Sequence, residues 1–165
     1  MHDQHYTTII DSPLGPLTLV ATDKGLRAVL WPDDEPTRVR LPDAAIETDA
    51  TDHPVLRAAT SQLDEYFAGT RSEFEVPLDL RGTEFQVANW TALAEIRFGT
   101  TSTYGEQAGR LGRPKAARAI GAATGKNPIS IILPCHRVVG SDGSLTGFAG
   151  GLDAKRWLLA HEGAR

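Results

Sequence analysis

The chain has 165 residues, 41% of them hydrophobic and 23% charged, an ordinary balance for a globular protein with room for one core or two small ones. No apolar stretch approaches the ~20 residues that cross a bilayer. The start Met1-His2-Asp3-Gln4-His5 lacks the basic and apolar pattern of a signal peptide, so a cytoplasmic protein with no membrane partner is expected. The single cysteine, Cys135, excludes an internal disulfide and the multi-cysteine kind of zinc site, and no metal is expected.

The net charge of −4 is unevenly held. Residues 1–79 carry six Lys and Arg against fifteen Asp and Glu, a balance of −9, whereas residues 80–165 carry eleven against six, a balance of +5. An acidic half joined to a basic half suggests that only the second meets a polyanion. Modest charge of either sign is also common in domains with no such partner.

In chain order, Tyr6–Ile10, Leu17–Ala21 and Leu26–Trp31 are β-favouring runs separated by the turn clusters Ser12–Pro16 and Asp23–Gly25, a three-stranded meander. Residues 32–53 are rich in Pro, Asp and Thr without periodicity and read as loop. From Pro54, the apolar positions Val55, Leu56, Ala59, Leu63, Tyr66 and Phe67 fall at helical spacing until Gly69. Phe74–Leu80 reads as an edge strand or linker, because Pro77 cannot donate to a ladder.

Thr83-Glu84-Phe85-Gln86 has the form of a capping box and opens a helix expected to run through Leu93 and Ile96 to Gly99. Thr103-Tyr104-Gly105-Glu106 is a second such box, starting a short helix that Gly112 stops. Pro114 suits a first helical position, so a helix is expected over 114–124. Two short helices about three residues apart resemble a helix-turn-helix. Lys115 and Arg118, one turn apart, would share a face suited to phosphates, unless this is simply an alanine-rich core helix with two solvated cations. Ile129–Leu133 is a buried apolar run leading to Cys135. A last helix is expected over Asp153–His161, with Trp157 and Leu158 in the core.

Pro134-Cys135-His136-Arg137 brings a thiol, an imidazole and a guanidinium into consecutive positions. A nearby base or cation makes thiolate available near neutral pH. The tripeptide alone fits a cysteine hydrolase, a redox sensor or an inert buried thiol equally well.

The wider pattern resembles the methylated-DNA–protein-cysteine methyltransferase family, the O6-alkylguanine-DNA alkyltransferases. The resemblance lies in Pro134-Cys135-His136-Arg137-Val138-Val139-Gly140, Gly125-Lys126-Asn127-Pro128, Lys115–Gly121, Ser102–Glu106, Leu145–Gly151 and Trp157–Glu162, in order and spacing across residues 80–165. Asp11–Leu17 agrees as well. It implies an α/β (α+β) chain of two domains. Residues 1–79 would form a ribonuclease H-like unit, a small sheet with a helix, and residues 80–165 a winged helix-turn-helix unit for DNA binding and alkyl acceptance.

The resemblance also implies roles. Cys135 would be the nucleophile and alkyl acceptor, and His136 its base through a water. Glu162 would orient that histidine, Asn127 would brace the active-site turn, and Tyr104 would give a proton to the departing guanine. Arg118 would fill the space of the flipped nucleotide, with Lys115, Ala117 and Thr103 against the DNA. Val138, Phe148, Ala149 and Gly150 would line the guanine pocket. The partner would be duplex DNA carrying alkylated guanine, bound by a monomer without a cofactor. A helix-turn-helix regulator or a non-reacting lesion binder is the alternative, although neither has a use for Cys135.

Several positions depart from the family pattern. Asn89 interrupts the apolar stripe of Phe85 and Leu93 and would need a hydrogen-bond partner if buried. Phe148 stands where a tyrosine is frequent, and Thr146 and Ala149 differ from some relatives at the pocket rim.

Overall fold

The structure, a computed structural model, describes residues 4–41 and 46–164. The chain divides into two compact units, Met1–Arg81 and Gly82–Arg165. Among the described residues, no helix is long and apolar enough to cross a membrane.

The first unit is built on a four-stranded sheet. Strands β1 (His5–Ile10), β2 (Leu17–Ala21) and β3 (Leu26–Leu30) form the expected antiparallel meander, with Ile10 opposite Leu17 and Leu19 opposite Val29. The order is β3-β2-β1-β4, because β4 (Ile46–Glu47) adds itself in parallel beside β1. This corrects the reading of 32–53 as loop throughout: two exposed residues form a strand too short to show a period. Residues 42–45 of that stretch lie outside the described residues.

Helix α1 (Pro54–Phe67) packs on the meander through Val55, Leu56, Ala59, Leu63 and Tyr66. Its N-cap is His53, whose Nδ1 accepts from the amide of Val55 at 3.2 Å, and Gly69 leaves the helix in the left-handed region at φ 82°. Glycine adopts that conformation without the Cβ penalty. Another part of the long loop returns over the sheet, where Val39 packs on Val20 and Ala28. Arg38 beside it donates to Val29 O at 2.9 Å and to Asp34 at 2.8 Å. This explains why β2 and β3 are buried nearly throughout rather than on alternate residues.

The linker 74–80 touches the sheet by one parallel bridge, Leu26 to Leu78. Gly25 permits it, since a Cβ there would lie 2.6 Å from Pro77 O.

The second unit contains α2 (Glu84–Leu93), α3 (Tyr104–Arg110), α4 (Ala117–Gly125) and α5 (Leu152–His161), with a parallel pair of two-residue strands, β5 (Ser102–Thr103) and β6 (Val138–Val139). Both bonds of the Thr83–Gln86 capping box are present. The α-helix ends at Leu93, short of the expected Ile96, because the next amides bond three residues back, as in Ile96 N to Leu93 O. Thr103 Oγ1 caps α3 by accepting from Glu106 N at 3.1 Å.

The helix expected from Pro114 begins at Ala117 instead. Pro114 occupies the second position of a β-turn closed by Ala116 N to Arg113 O at 2.9 Å, a place its fixed φ suits equally well. Six residues therefore separate α3 from α4, and Lys115 sits in the turn rather than on a helical face with Arg118. Trp157, expected in the core, is half-buried and stacks on His161 at 4.7 Å, while Leu158 is fully enclosed.

Candidate functional site

The segment leaving α4 is folded tightly upon itself. Leu133 N reaches Ile129 O at 3.0 Å, and Ile132 N and Cys135 N each bond a carbonyl two residues back. Ile131 sits at its apex with φ 74°, a costly conformation for a β-branched side chain. Asn127 bridges this loop: Nδ2 donates to Leu133 O at 2.8 Å and Oδ1 accepts from Ile129 N at 3.1 Å. Complete burial of Ile129 and Ile131 adds apolar stabilisation. The loop delivers Cys135–Arg137 as a single 3-10 turn that runs directly into β6.

Cys135 is buried and faces a cavity of about 30 Å³, bordered also by Tyr104, Asn127, Phe148 and Ala149. Such a space has room for about one water and no purine. Gly147 borders it too, as do Gly121, Thr124 and Gly125 of α4. Their significance was not visible in the sequence beyond the smallness of the helix. Val138 and Gly150 do not border this cavity, though Val138 lies beside it in β6 and is buried. Arg118 and Lys115 are exposed, while Ala117, at the start of α4, and Thr103 are half-buried.

The two residues that follow Cys135 in the chain belong to a buried charged cluster. His136 Nε2 and Glu162 Oε2 are 2.7 Å apart, both side chains wholly enclosed. Arg137 grips the same carboxylate with two nitrogens, Nε to Oε1 at 2.8 Å and Nη2 to Oε2 at 3.0 Å. Its third nitrogen donates to Ile96 O, and the guanidinium lies 5.7 Å from the Phe98 ring centroid. Of the three consecutive groups in the sequence, the guanidinium therefore turns to Glu162. Glu162 is the C-cap of α5, where a carboxylate opposes the helix dipole; the bidentate arginine offsets that cost.

This arrangement decides the state of the histidine. Burial pulls His136 below the ordinary histidine range, and the hydrogen bond and charge of Glu162 only partly offset it, with Arg137 and Lys155 acting in the same sense as burial. The carboxylate charge is already balanced by Arg137, so His136 stays neutral. A carboxylate can only accept, so the imidazole proton sits on Nε2. Nδ1, which has no partner among the described residues, keeps its lone pair free to act as a base.

Lys155 is a functional candidate that sequence reading missed. It lies on α5, is 1% exposed, and donates from Nζ to Val138 O at 2.7 Å and toward Thr146 O at 3.4 Å. Burial lowers its pKa, while the charge of Cys135 works in the opposite sense. A lysine between Ala154 and Arg156 on the last helix carries no sign of burial in sequence.

Asn89 is fully buried, and its Nδ2 donates to Thr124 Oγ1 at 3.0 Å. Phe148 meets the His136 ring edge-on, with centroids 6.5 Å apart. Tyr104 hydrogen-bonds through its hydroxyl to Thr146 Oγ1.

Two family models cover the chain: the ribonuclease-like domain of 6-O-methylguanine DNA methyltransferase matches residues 5–80, and its DNA-binding domain matches residues 84–164. A methylated-DNA–protein-cysteine methyltransferase of Methanosarcina acetivorans is 46% identical over 96% of this chain and 99% of its own. One of Mycobacterium bovis is 48% identical over 98% and 93%. Among solved structures, Mycobacterium tuberculosis OGT in complex with DNA aligns with a TM-score of 0.85 at 44% identity, covering 96% of this chain and 92% of that one. The two-domain α+β architecture agrees with these matches, and the chain belongs to the 6-O-methylguanine DNA methyltransferase family.

Proposed function

We propose that the protein repairs duplex DNA by transferring the alkyl group of O6-alkylguanine irreversibly to its own Cys135. The observation that carries this reading is a buried cysteine on the wall of a small cavity, followed in the chain by a buried histidine whose Nε2 lies 2.7 Å from Glu162. The family match across both halves of the chain supports the substrate class.

In this reading His136 Nδ1 takes the thiol proton through a water, and the sulfur attacks the alkyl carbon while the C–O6 bond breaks. Tyr104 gives a proton to the guanine ring as charge develops there, the placed-donor effect that is commonly a large catalytic term. Asn127 keeps the cysteine loop in register, and Glu162 keeps the histidine in its productive tautomer. The product is a thioether, which offers no leaving group for regeneration, so each molecule acts once.

O6 is inaccessible inside a stacked pair, so the base must be extruded at a cost of about a few kcal/mol. α4 approaches the minor groove with its small residues, and Arg118 takes the vacated place in the duplex. Lys115, Ala117 and Thr103 lie against the backbone. Phe148 and Ala149, which border the cavity, line the guanine site; the wall at 147–149 must yield for a purine to enter, and Val138 and Gly150 join the lining only then. The protein works as a monomer without a cofactor, in the cytoplasm, with residues 1–79 as a separate domain from 80–165.

The test is a titration of the protein with increasing excess of a short duplex containing O6-methylguanine. Repair is expected to stop at one lesion per molecule and to be absent in Cys135→Ser. Continued turnover would overturn the reading in favour of a hydrolase, and lesion binding without repair would favour a non-reacting DNA-binding protein.

A further inference from the structure

Tyr104 is held from two sides. Its ring lies over Gly121 of α4, where an added Cβ would come within 3.8 Å of the ring. Its hydroxyl meets the hydroxyl of Thr146, 42 residues further along the chain. Thr146 is itself tied down, since its carbonyl faces the buried Lys155, which also holds Val138 O. The contact therefore joins the first turn of α3 to the glycine-rich loop beside the cavity.

A phenol has one proton to give and lone pairs to receive others. If Tyr104 spent its proton on Thr146, none would be left for the base. The reverse arrangement, Thr146 donating to the Tyr104 oxygen, frees the phenolic proton for guanine and places a donor on the oxygen that becomes negative as that proton leaves. We propose that Thr146 is a positioning residue for the transfer reaction, orienting the Tyr104 hydroxyl toward the flipped base and stabilising its oxygen as the proton moves. This inference rests on the role given to Tyr104 above.

The step balances without a further reactant. The S–C bond forms as the C–O6 bond breaks, and the electron pair left on O6 spreads into the ring. A ring nitrogen takes the Tyr104 proton. The proton that the thiol gave to His136 returns through solvent to Tyr104, and Thr146 keeps its own throughout.

The experiment compares single-turnover transfer from an O6-methylguanine duplex, at saturating protein, with the Kd for that duplex. Removing one neutral hydrogen bond of this kind predicts that Thr146→Val reacts about tenfold more slowly, with Kd changed by less than about twofold. Thr146→Ser restores most of the rate. Tyr104→Phe is slow by itself, and adding Thr146→Val to it costs nothing more. Thermal unfolding checks each variant, and Thr146→Ala replaces Thr146→Val with the same expectation should the valine not fold. A Thr146→Val protein as fast as wild type, beside a slow Tyr104→Phe, overturns the proposal. So does a threonine effect that adds in full to the tyrosine effect. A Tyr104→Phe protein reacting at the wild-type rate instead removes the role of Tyr104 itself, and this inference with it.

Discussion

Replacing Arg137 by methionine removes the cation that balances Glu162 and leaves the carboxylate enclosed beside His136. Both side chains of the Arg137–Glu162 pair are almost wholly buried, at 6% and 0% exposure, so solvent cannot substitute for the lost guanidinium. Breaking such a pair costs about 3–5 kcal/mol, out of a total stability of about 5–15 kcal/mol for a typical domain.

The pH dependence separates this account from a general packing defect. In the wild type the folded pKa of His136 lies below its unfolded value, so the unfolded chain binds the proton first and stability falls as pH drops below about 6.5. Arg137→Met removes one of the causes that hold the folded pKa down, though burial, the largest, remains, so the folded pKa moves up toward the unfolded value. The variant then loses less stability than the wild type as pH drops below about 6.5. The variant's deficit should therefore be smallest in mild acid and grow toward neutral pH.

Urea unfolding of both proteins from pH 5.5 to 9 measures this directly. Glu162→Gln added to Arg137→Met should recover much of the loss, since no buried charge is then left unpaired. A deficit under about 1 kcal/mol, or one independent of pH, would refute the reasoning that Arg137 balances Glu162 and adds to the lowering of the His136 pKa by burial.

Three further outcomes are expected. Nitrogen NMR of the His136 ring should show a neutral imidazole protonated on Nε2 at pH 7, titrating below the ordinary histidine range, following its lowered pKa; an imidazolium at pH 7 would contradict it. Asn127→Ala removes two buried hydrogen bonds around the strained Ile131 loop and should cost about 2–4 kcal/mol in thermal or urea unfolding, with alkyl transfer falling in parallel. Lys155→Met removes the donor that ties Val138 O and the cation that interacts with Cys135. Its transfer rate from an O6-methylguanine duplex should fall by at least about tenfold while its affinity for undamaged DNA stays unchanged; an unaltered rate would assign Lys155 a packing role only.

What was legible in the sequence was whatever a local rule could reach. β-favouring runs and turn residues delimited β1 to β3, and Thr83 and Thr103 announced their helices because capping is local chemistry. Pro114 misled for the same reason: a first helical turn and a β-turn want the same φ, and only the Ala116–Arg113 hydrogen bond tells them apart. β4 escaped because its two residues owe their conformation to β1 alone.

In the site, Cys135 and His136 stood out as a possible nucleophile and base, and their roles and that of Glu162 came through the family resemblance. The partner of Arg137, the burial of Lys155 and the pairing of Tyr104 with Thr146 depend on groups 25, 17 and 42 residues apart meeting in space. Asn89 shows the middle ground. Its place on an apolar stripe demanded a partner, but nothing local named Thr124, 35 residues away.

The central claim, that Cys135 is itself consumed as the alkyl acceptor, is tested most directly by intact-mass and peptide mass analysis after incubation with excess O6-methylguanine duplex. The account predicts one methyl group per molecule, carried by the peptide bearing Cys135 and absent from Cys135→Ser. An unmodified protein after complete repair, or a methyl group on another residue, would contradict it.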